Sequence, residues 1–174
     1  PVYRRPEIAI ISTGDELVQP GEEPGPDQII ASNAYGLAAL IEAQGGIPRL
    51  LPIARDDRAS LEMVFDLAKG ADIVVTIGGA SVGDYDLVGK VAAERGMDRA
   101  FYKVAMRPGK PLMAGRLDGA MMIGLPGNPV SAMVCGTVFL VPVMRATLGL
   151  GAAPAPRVQM ALADPVEANG PREH

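Results

Sequence analysis

Histidine and cysteine are almost missing from this chain. The one histidine, His174, is the last residue, and the one cysteine is Cys135. A Ser-His-Asp triad or a histidine-based metal centre needs an internal histidine. An internal disulfide or a cysteine-cluster metal site needs more than one thiol, so both are excluded. Cys135 stands in an apolar stretch and reads as a buried thiol rather than a nucleophile. A basic excess is also missing. The formal net charge is −4 and the pI is near 5.0, which argues against a general nucleic-acid surface and makes any anion site local. The start carries no signal-peptide pattern. The longest apolar run, VSAMVCGTVFLVPVM (130–144), is shorter than the roughly 20 residues a membrane span needs. These absences predict a cytoplasmic protein with neither a nucleic-acid nor a membrane partner. The chain also lacks an initial methionine and stops just after a strand-like stretch, RVQMALADPV (157–166). A fragment of a longer protein is expected.

What is present is ordinary for a globular domain: 174 residues, 48% hydrophobic and 21% charged. A chain of this length buries roughly 70% of its unfolded surface, enough for one real core. EIAIIS (7–12) reads as a buried strand. A Gly/Pro-rich loop follows. Ser32 or Asn33 is expected to cap a helix that stops at Gly45-Gly46. IPRLLPIA (47–54), ADIVVTI (71–77) and FYKVAM (101–106) read as strands. RASLEMVFDLAK (58–69) and the segment from Leu87 to Arg95 read as helices. Asp118-Gly119 between two apolar runs suits a type I′ hairpin turn. A long helix begins at Pro129 with Asn128 as its N-cap, and Pro142 is expected to kink it. Alternating strands and helices predict a three-layer α/β domain with a mixed, mostly parallel sheet. The expected domain spans 1–149, followed by a linker at 150–157 and the beginning of a C-terminal β domain at 158–174.

In open α/β sheets, ligands bind beyond the carboxyl ends of the strands. The loops there carry the chemistry. Thr13-Gly14-Asp15-Glu16 follows the first strand, and Arg55-Asp56-Asp57 the second. GGASVGDYD (78–86) follows the third. Gly78, Gly79 and Gly83 allow a nest of outward N–H groups that suits an anion, and Ser81 adds a hydroxyl. An ordinary strand–helix turn remains the alternative. Asp84 and Asp86 suit Mg²⁺ or a ligand's N–H groups, and Asp86 suits a helix N-cap equally well. KVAMRPGKP (103–111) places three cations in nine residues of an acidic chain. On a strand, Lys103, Ala105 and Arg107 would share a face. Arg107-Pro108-Gly109-Lys110 suits a type II turn, with its end α-carbons within about 7 Å. Two like charges about 6 Å apart repel by roughly 3 kcal/mol at an effective dielectric of 20. An anion between them would convert that repulsion into binding; a solvated turn is the bland alternative. GLPGNP (124–129) adds a helix start and Ser131 at the same rim. Together these loops predict a polyanionic small-molecule site with a divalent cation.

STGDEL, RDD, GGASVGDYD, KVAMRPGKP and GLPGNPVSA, in this order, resemble the molybdopterin molybdenumtransferase family: bacterial MoeA and the E domain of gephyrin-like proteins. The resemblance runs from about Glu7 to Gly149 and implies a MogA-like molybdopterin-binding fold. It implies insertion of molybdate into adenylylated molybdopterin (molybdopterin-AMP), with Mg²⁺ assisting release of AMP. By motif, Glu16, Asp56, Asp86, Lys103 and Arg107 match functional residues, with Asp86 and Glu16 as metal candidates. Ser81, Arg107, Lys110 and Pro111 match positions near the molybdate site. Pro126 and Pro129 match the prolines before the last helix. Gly14, Asp15, Gly78, Gly79, Gly83, Asp84, Gly127, Asn128 and Ser131 complete the implied substrate site. Two residues depart from the pattern: Arg107 stands where many members have lysine, and Ala31 where members often have aspartate. The family's N-terminal domains complete the site across a homodimer, and this chain lacks them, so the fragment is expected to bind rather than turn over. A binding-only module and a molybdopterin adenylyltransferase remain the alternatives.

Overall fold

The computed structural model describes residues 2–79, 86–153, 158–161 and 163–165. Among these residues, six strands form one sheet in the order β4-β1-β5-β8-β7-β6. They are β1 (Glu7–Ser12), β4 (Ile47–Leu50), β5 (Ile73–Ile77), β6 (Asp98–Tyr102), β7 (Met113–Leu117) and β8 (Ala120–Leu125). β1, β4, β5 and β8 pair in parallel. β7 runs antiparallel to β8 and to β6. The turn between β7 and β8 has Asp118 and Gly119 at φ 50° and 84°, the two left-handed residues that a type I′ hairpin requires.

Helices cover both faces, as the alternating pattern predicts. Leu37 and Ile41 of α1 (Ser32–Ala43) pack on Ile8, Ile10, Val75 and Ile123, together with Leu140 and Met144. On the other face, Leu61, Val64 and Phe65 of α2 (Arg58–Leu67) meet Ile11, Val74 and Met122. Val88 and Val91 of α3 (Leu87–Glu94) join them. All five residues of β5 are buried, as expected for a β-branched central strand covered on both faces.

The last helix runs from Pro129 to Thr147 as α4 (Pro129–Cys135), a π-helical turn (Gly136–Leu140) and α5 (Val141–Thr147). Pro142 has no N–H to donate and its ring crowds the carbonyl four residues earlier, at Val138. The helix answers with a widened turn around Val138. By length and composition this helix could cross a membrane. In this fold Ala132, Cys135, Leu140 and Met144 pack it into the core.

Three local expectations are corrected. β6 ends at Tyr102, and Lys103 has φ 69°, so 103–107 does not continue the strand and its alternation does not apply. The cation loop closes through Val104 N to Lys110 O (3.1 Å) and Lys103 N to Leu112 O (2.7 Å), with the Arg107–Pro108 bond cis; this is not the expected type II turn. Neither Ser32 nor Asn33 caps α1. The cap position is Ala31, without a side-chain bond, because the Asn33 amide donates to Gly127 O instead (2.8 Å). The loop after β1 also holds a small parallel ladder, β2 (Leu17–Val18) with β3 (Ile29–Ile30).

Candidate functional site

The chain path places one crevice in advance. From β1 the chain crosses to β4 on one side, then returns past β1 to β5 on the other. The strand ends of β1 and β5 therefore diverge at a topological switch point. A cavity of about 620 Å³ lies there. Thr13, Gly14 and Glu16 line it from the end of β1; Ile77, Gly78 and Gly79 line it from the end of β5. Asp56, Gly127 and Pro129 complete its rim, and Leu17, Ile29, Ile30 and Val88 give it an apolar wall. Gly78 must be glycine: its φ is +90°, and a Cβ there would lie 2.7 Å from the Thr13 carbonyl oxygen.

The acidic side is built from two loops stitched together. Gly14 N donates to Ala54 O (3.1 Å), and Asp56 N donates to Asp15 Oδ1 (3.1 Å). This brings three carboxylates near one another. Burial, then the neighbouring Asp15 carboxylate and the Glu16 carboxylate, hold the Asp56 carboxyl above the usual aspartate range. None of Asp15, Glu16 and Asp56 has an ion-pair partner among the described residues.

These loops are those of a recognised family. Residues 9–146 match the family model described as a probable molybdopterin binding domain. The chain belongs to the molybdopterin-binding domain family. It is 41% identical to the molybdopterin molybdenumtransferase of Nostoc sp. over 99% of its own length and 41% of that protein's. It is 42% identical to molybdopterin molybdenumtransferase 2 of Mycobacterium tuberculosis over 86% of its length and 38% of that protein's. The chain thus spans about two-fifths of the curated relatives it matches. Among solved structures, the molybdopterin biosynthesis MoeA protein of Pyrococcus horikoshii superposes with a TM-score of 0.77 at 37% identity. That match covers 84% of this chain and 36% of the other.

In this molybdopterin-binding domain the cations stand apart from the cavity. β6 ends and β7 begins at the level of the β8 carboxyl end, since Tyr102 pairs Met113 and Met113 pairs Gly124. The loop carrying Lys103, Arg107 and Lys110 therefore emerges at the same rim. It lies over β7 and β6, while the carboxylates lie over β4 and β1. All three cations are exposed, and none forms an ion pair among the described residues. The Lys103 ammonium lies 4.9 Å from the centre of the Tyr102 ring, a cation–π distance. Cys135 supports the loop from below, its thiol donating to Gly109 O (3.8 Å).

The remaining site residues divide. Asp86 is buried, caps α3 by accepting from Gly89 N (2.8 Å) and does not line the cavity. Asn128 caps α4, accepting from Ser131 N (3.1 Å). Pro126 is buried and Pro111 half-buried, both outside the cavity wall. Ser81, Gly83 and Asp84 lie outside the described residues. The sequence reading took Asn33 only as a cap candidate and missed that its amide ties α1 to Gly127; it also missed the apolar pair Ile29-Ile30. The only signal for the pair was two adjacent isoleucines in an otherwise polar loop.

Proposed function

We propose that this chain is the molybdopterin-binding domain of a cytoplasmic molybdopterin molybdenumtransferase. At its full natural length, and as a homodimer, the protein would insert molybdate into molybdopterin-AMP. The α/β domain is taken to span 1–149, with 150–157 a linker and 158–174 the beginning of a further β domain. The observation that carries the reading is the charge-separated rim. Among the described residues, carboxylates without ion-pair partners stand over β4 and β1, cations without ion-pair partners over β7 and β6, and the glycine-lined crevice lies between. Three strand spacings separate β1 from β7, about 14 Å. That span suits an extended ligand with a phosphate at one end and reacting atoms near the other.

Lys103, Arg107 and Lys110 hold phosphate and oxyanion oxygens through charge-assisted hydrogen bonds, each contributing roughly 1.5–3 kcal/mol. Arg107 in place of lysine favours a bidentate contact. Gly14, Gly78, Gly79, Gly127 and Pro129 bring backbone close to the ligand, with Asp15, Lys110, Pro111, Pro126, Asn128 and Ser131 shaping the adjoining rim.

Mg²⁺ fits the acidic side. Burial, and after it the Asp15 and Glu16 carboxylates, raise the Asp56 carboxyl, and a cation there would favour its ionised form. Among the described residues no group of three carboxylates is poised to hold a metal, so an ion here would be held by one or two carboxylates, water and substrate phosphate. Glu16 and Asp56 would hold it, with Asp15 behind them. When bound, it would neutralise charge on the leaving phosphate. Asp86, engaged as a cap, would fix the start of α3 beside the site.

The test is molybdate insertion by the full-length protein and its Glu16→Gln variant. Insertion should fall at least about tenfold, while molybdopterin affinity changes little. Unchanged insertion would remove Glu16 from the reaction. Adenylylation of molybdopterin from ATP by the same protein would replace the reading with an adenylyltransferase.

A further inference from the structure

Arg55 lies outside the cavity wall, yet its guanidinium grips the backbone on both sides of Glu16. Its Nη1 donates to Asp15 O (2.8 Å) and to Leu17 O (3.3 Å). The carbonyl between them, Glu16 O, accepts from Ile29 N (2.8 Å). The next inward carbonyl, Val18 O, accepts from Ala31 N (2.9 Å). Carbonyls therefore alternate along this segment: Glu16 and Val18 face β3, while Asp15 and Leu17 face the opposite edge. That edge has no partner strand in the β2–β3 ladder. Arg55 fills the place of the missing strand, the two N–H bonds of its Nη1 serving two outward carbonyls.

Arg55 is itself anchored. Its backbone N donates to Ser60 Oγ (2.9 Å) in the first turn of α2, where Asp57 accepts from Ser60 N (2.8 Å). A path thus runs from α2 through Arg55 to the carbonyls of Asp15 and Leu17, on either side of Glu16. Its charge is directed at carbonyl dipoles. Arg55 forms no ion pair among the described residues, although Asp15, Glu16 and Asp56 surround it in the two loops. An arginine paired with those carboxylates would compete with a cation or reacting group for them. One bound to the backbone fixes their positions and leaves them open.

We propose that Arg55 is the positioning residue for Glu16, clamping the carboxylate side of the cavity without touching the ligand. This rests on the transferase reading given above for what Glu16 does, but the clamp has a readout of its own. Because Arg55 acts on the acidic end only, its loss should separate turnover from ligand affinity.

The experiment compares the full-length parent with Arg55→Met and Arg55→Lys. In Arg55→Met the Ile29 amide should exchange with solvent about tenfold faster or more, since its acceptor strand is no longer held. Molybdate insertion kcat should fall roughly ten- to a hundredfold, as expected for a misplaced catalytic group. Molybdopterin affinity should stay within about threefold, because the cation loop lies at the far end of the rim. Arg55→Lys, which keeps one strong donor, should recover part of both losses. If Arg55→Met does not fold, Arg55→Gln carries the same comparison. Unchanged Ile29 exchange overturns the clamp, whatever the activity. Faster exchange with unchanged kcat overturns the positioning role. Affinity and kcat falling together with thermal stability would make Arg55 a general structural residue and also overturn it. A parent that exchanges as predicted but inserts no molybdate overturns the proposed function, and with it the role of Glu16 on which this assignment depends.

Discussion

The Glu16 carboxylate folds back over Gly14. A Cβ built on Gly14 would lie 2.4 Å from Glu16 Oε2, and Gly14 has φ +145°. The first loop of the site thus depends on a missing side chain to orient its acid. Gly14→Ala should displace the Glu16 carboxylate and cost about 1–3 kcal/mol of stability through backbone strain. Urea unfolding checks the cost. A divalent-cation titration checks the displacement and should show weaker binding than the parent.

Asp86 has two roles to separate: a cap and a charge. Asp86→Ala removes the acceptor for Gly89 N and should cost about 1 kcal/mol. Asp86→Asn keeps an acceptor of similar shape and should stay within about 0.5 kcal/mol of the parent. Asp86 also hydrogen-bonds the Tyr102 side chain, so thermal unfolding of the pair beside Tyr102→Phe separates the cap from that bond. Any loss of molybdate insertion in Asp86→Asn then belongs to the charge.

Asp56 should destabilise the fold at neutral pH. Its carboxyl sits above the ordinary aspartate range through burial and the Asp15 and Glu16 carboxylates, so the folded state holds the proton more tightly than the unfolded one. Its contribution is then complete below the ordinary aspartate range and is lost as pH rises through the raised value. Asp56→Asn should raise Tm by about 1–2 °C at pH 7, corresponding to about half a kcal/mol for a partly exposed group. The gain should vanish as pH falls below the ordinary aspartate range. Thermal melts across that window check the sign.

Burial pushes the Cys135 thiol up to about 11, and its side chain is fully enclosed. Native protein at pH 8 should resist alkylation by iodoacetamide, whereas urea-unfolded protein should react readily. Mass spectrometry of the two samples tests this. Rapid native labelling would show that the cation loop above Cys135 opens.

Strand and helix identity was legible where one short-range signal dominated. β5 is a β-branched, largely apolar run, Asp118-Gly119 dictates its turn, and Asn128-Pro129 marks a helix start. The sequence also placed Glu16, Asp56 and the cations at one rim, because strand ends in a parallel sheet share a side. It did not separate acids from cations, since that depends on strand order, which no local pattern encodes. Lys103 was misread because β propensity continues through KVAM while the chain turns at Lys103. Asn33 was misread as a cap because its amide bonds a carbonyl 94 residues away. Arg55 was read only as part of a loop, for the same reason: its partners lie 40 and 38 residues earlier.

The most direct test of the charge-separated rim is a molybdopterin titration of the folded chain beside a Lys103→Ala/Arg107→Ala double variant and a Glu16→Gln variant. The account predicts that the double variant loses affinity about a hundredfold or more, with two charge-assisted contacts removed, while Glu16→Gln binds within about threefold of the parent. A double variant that binds as tightly as the parent, or a Glu16→Gln variant that loses binding, would contradict it.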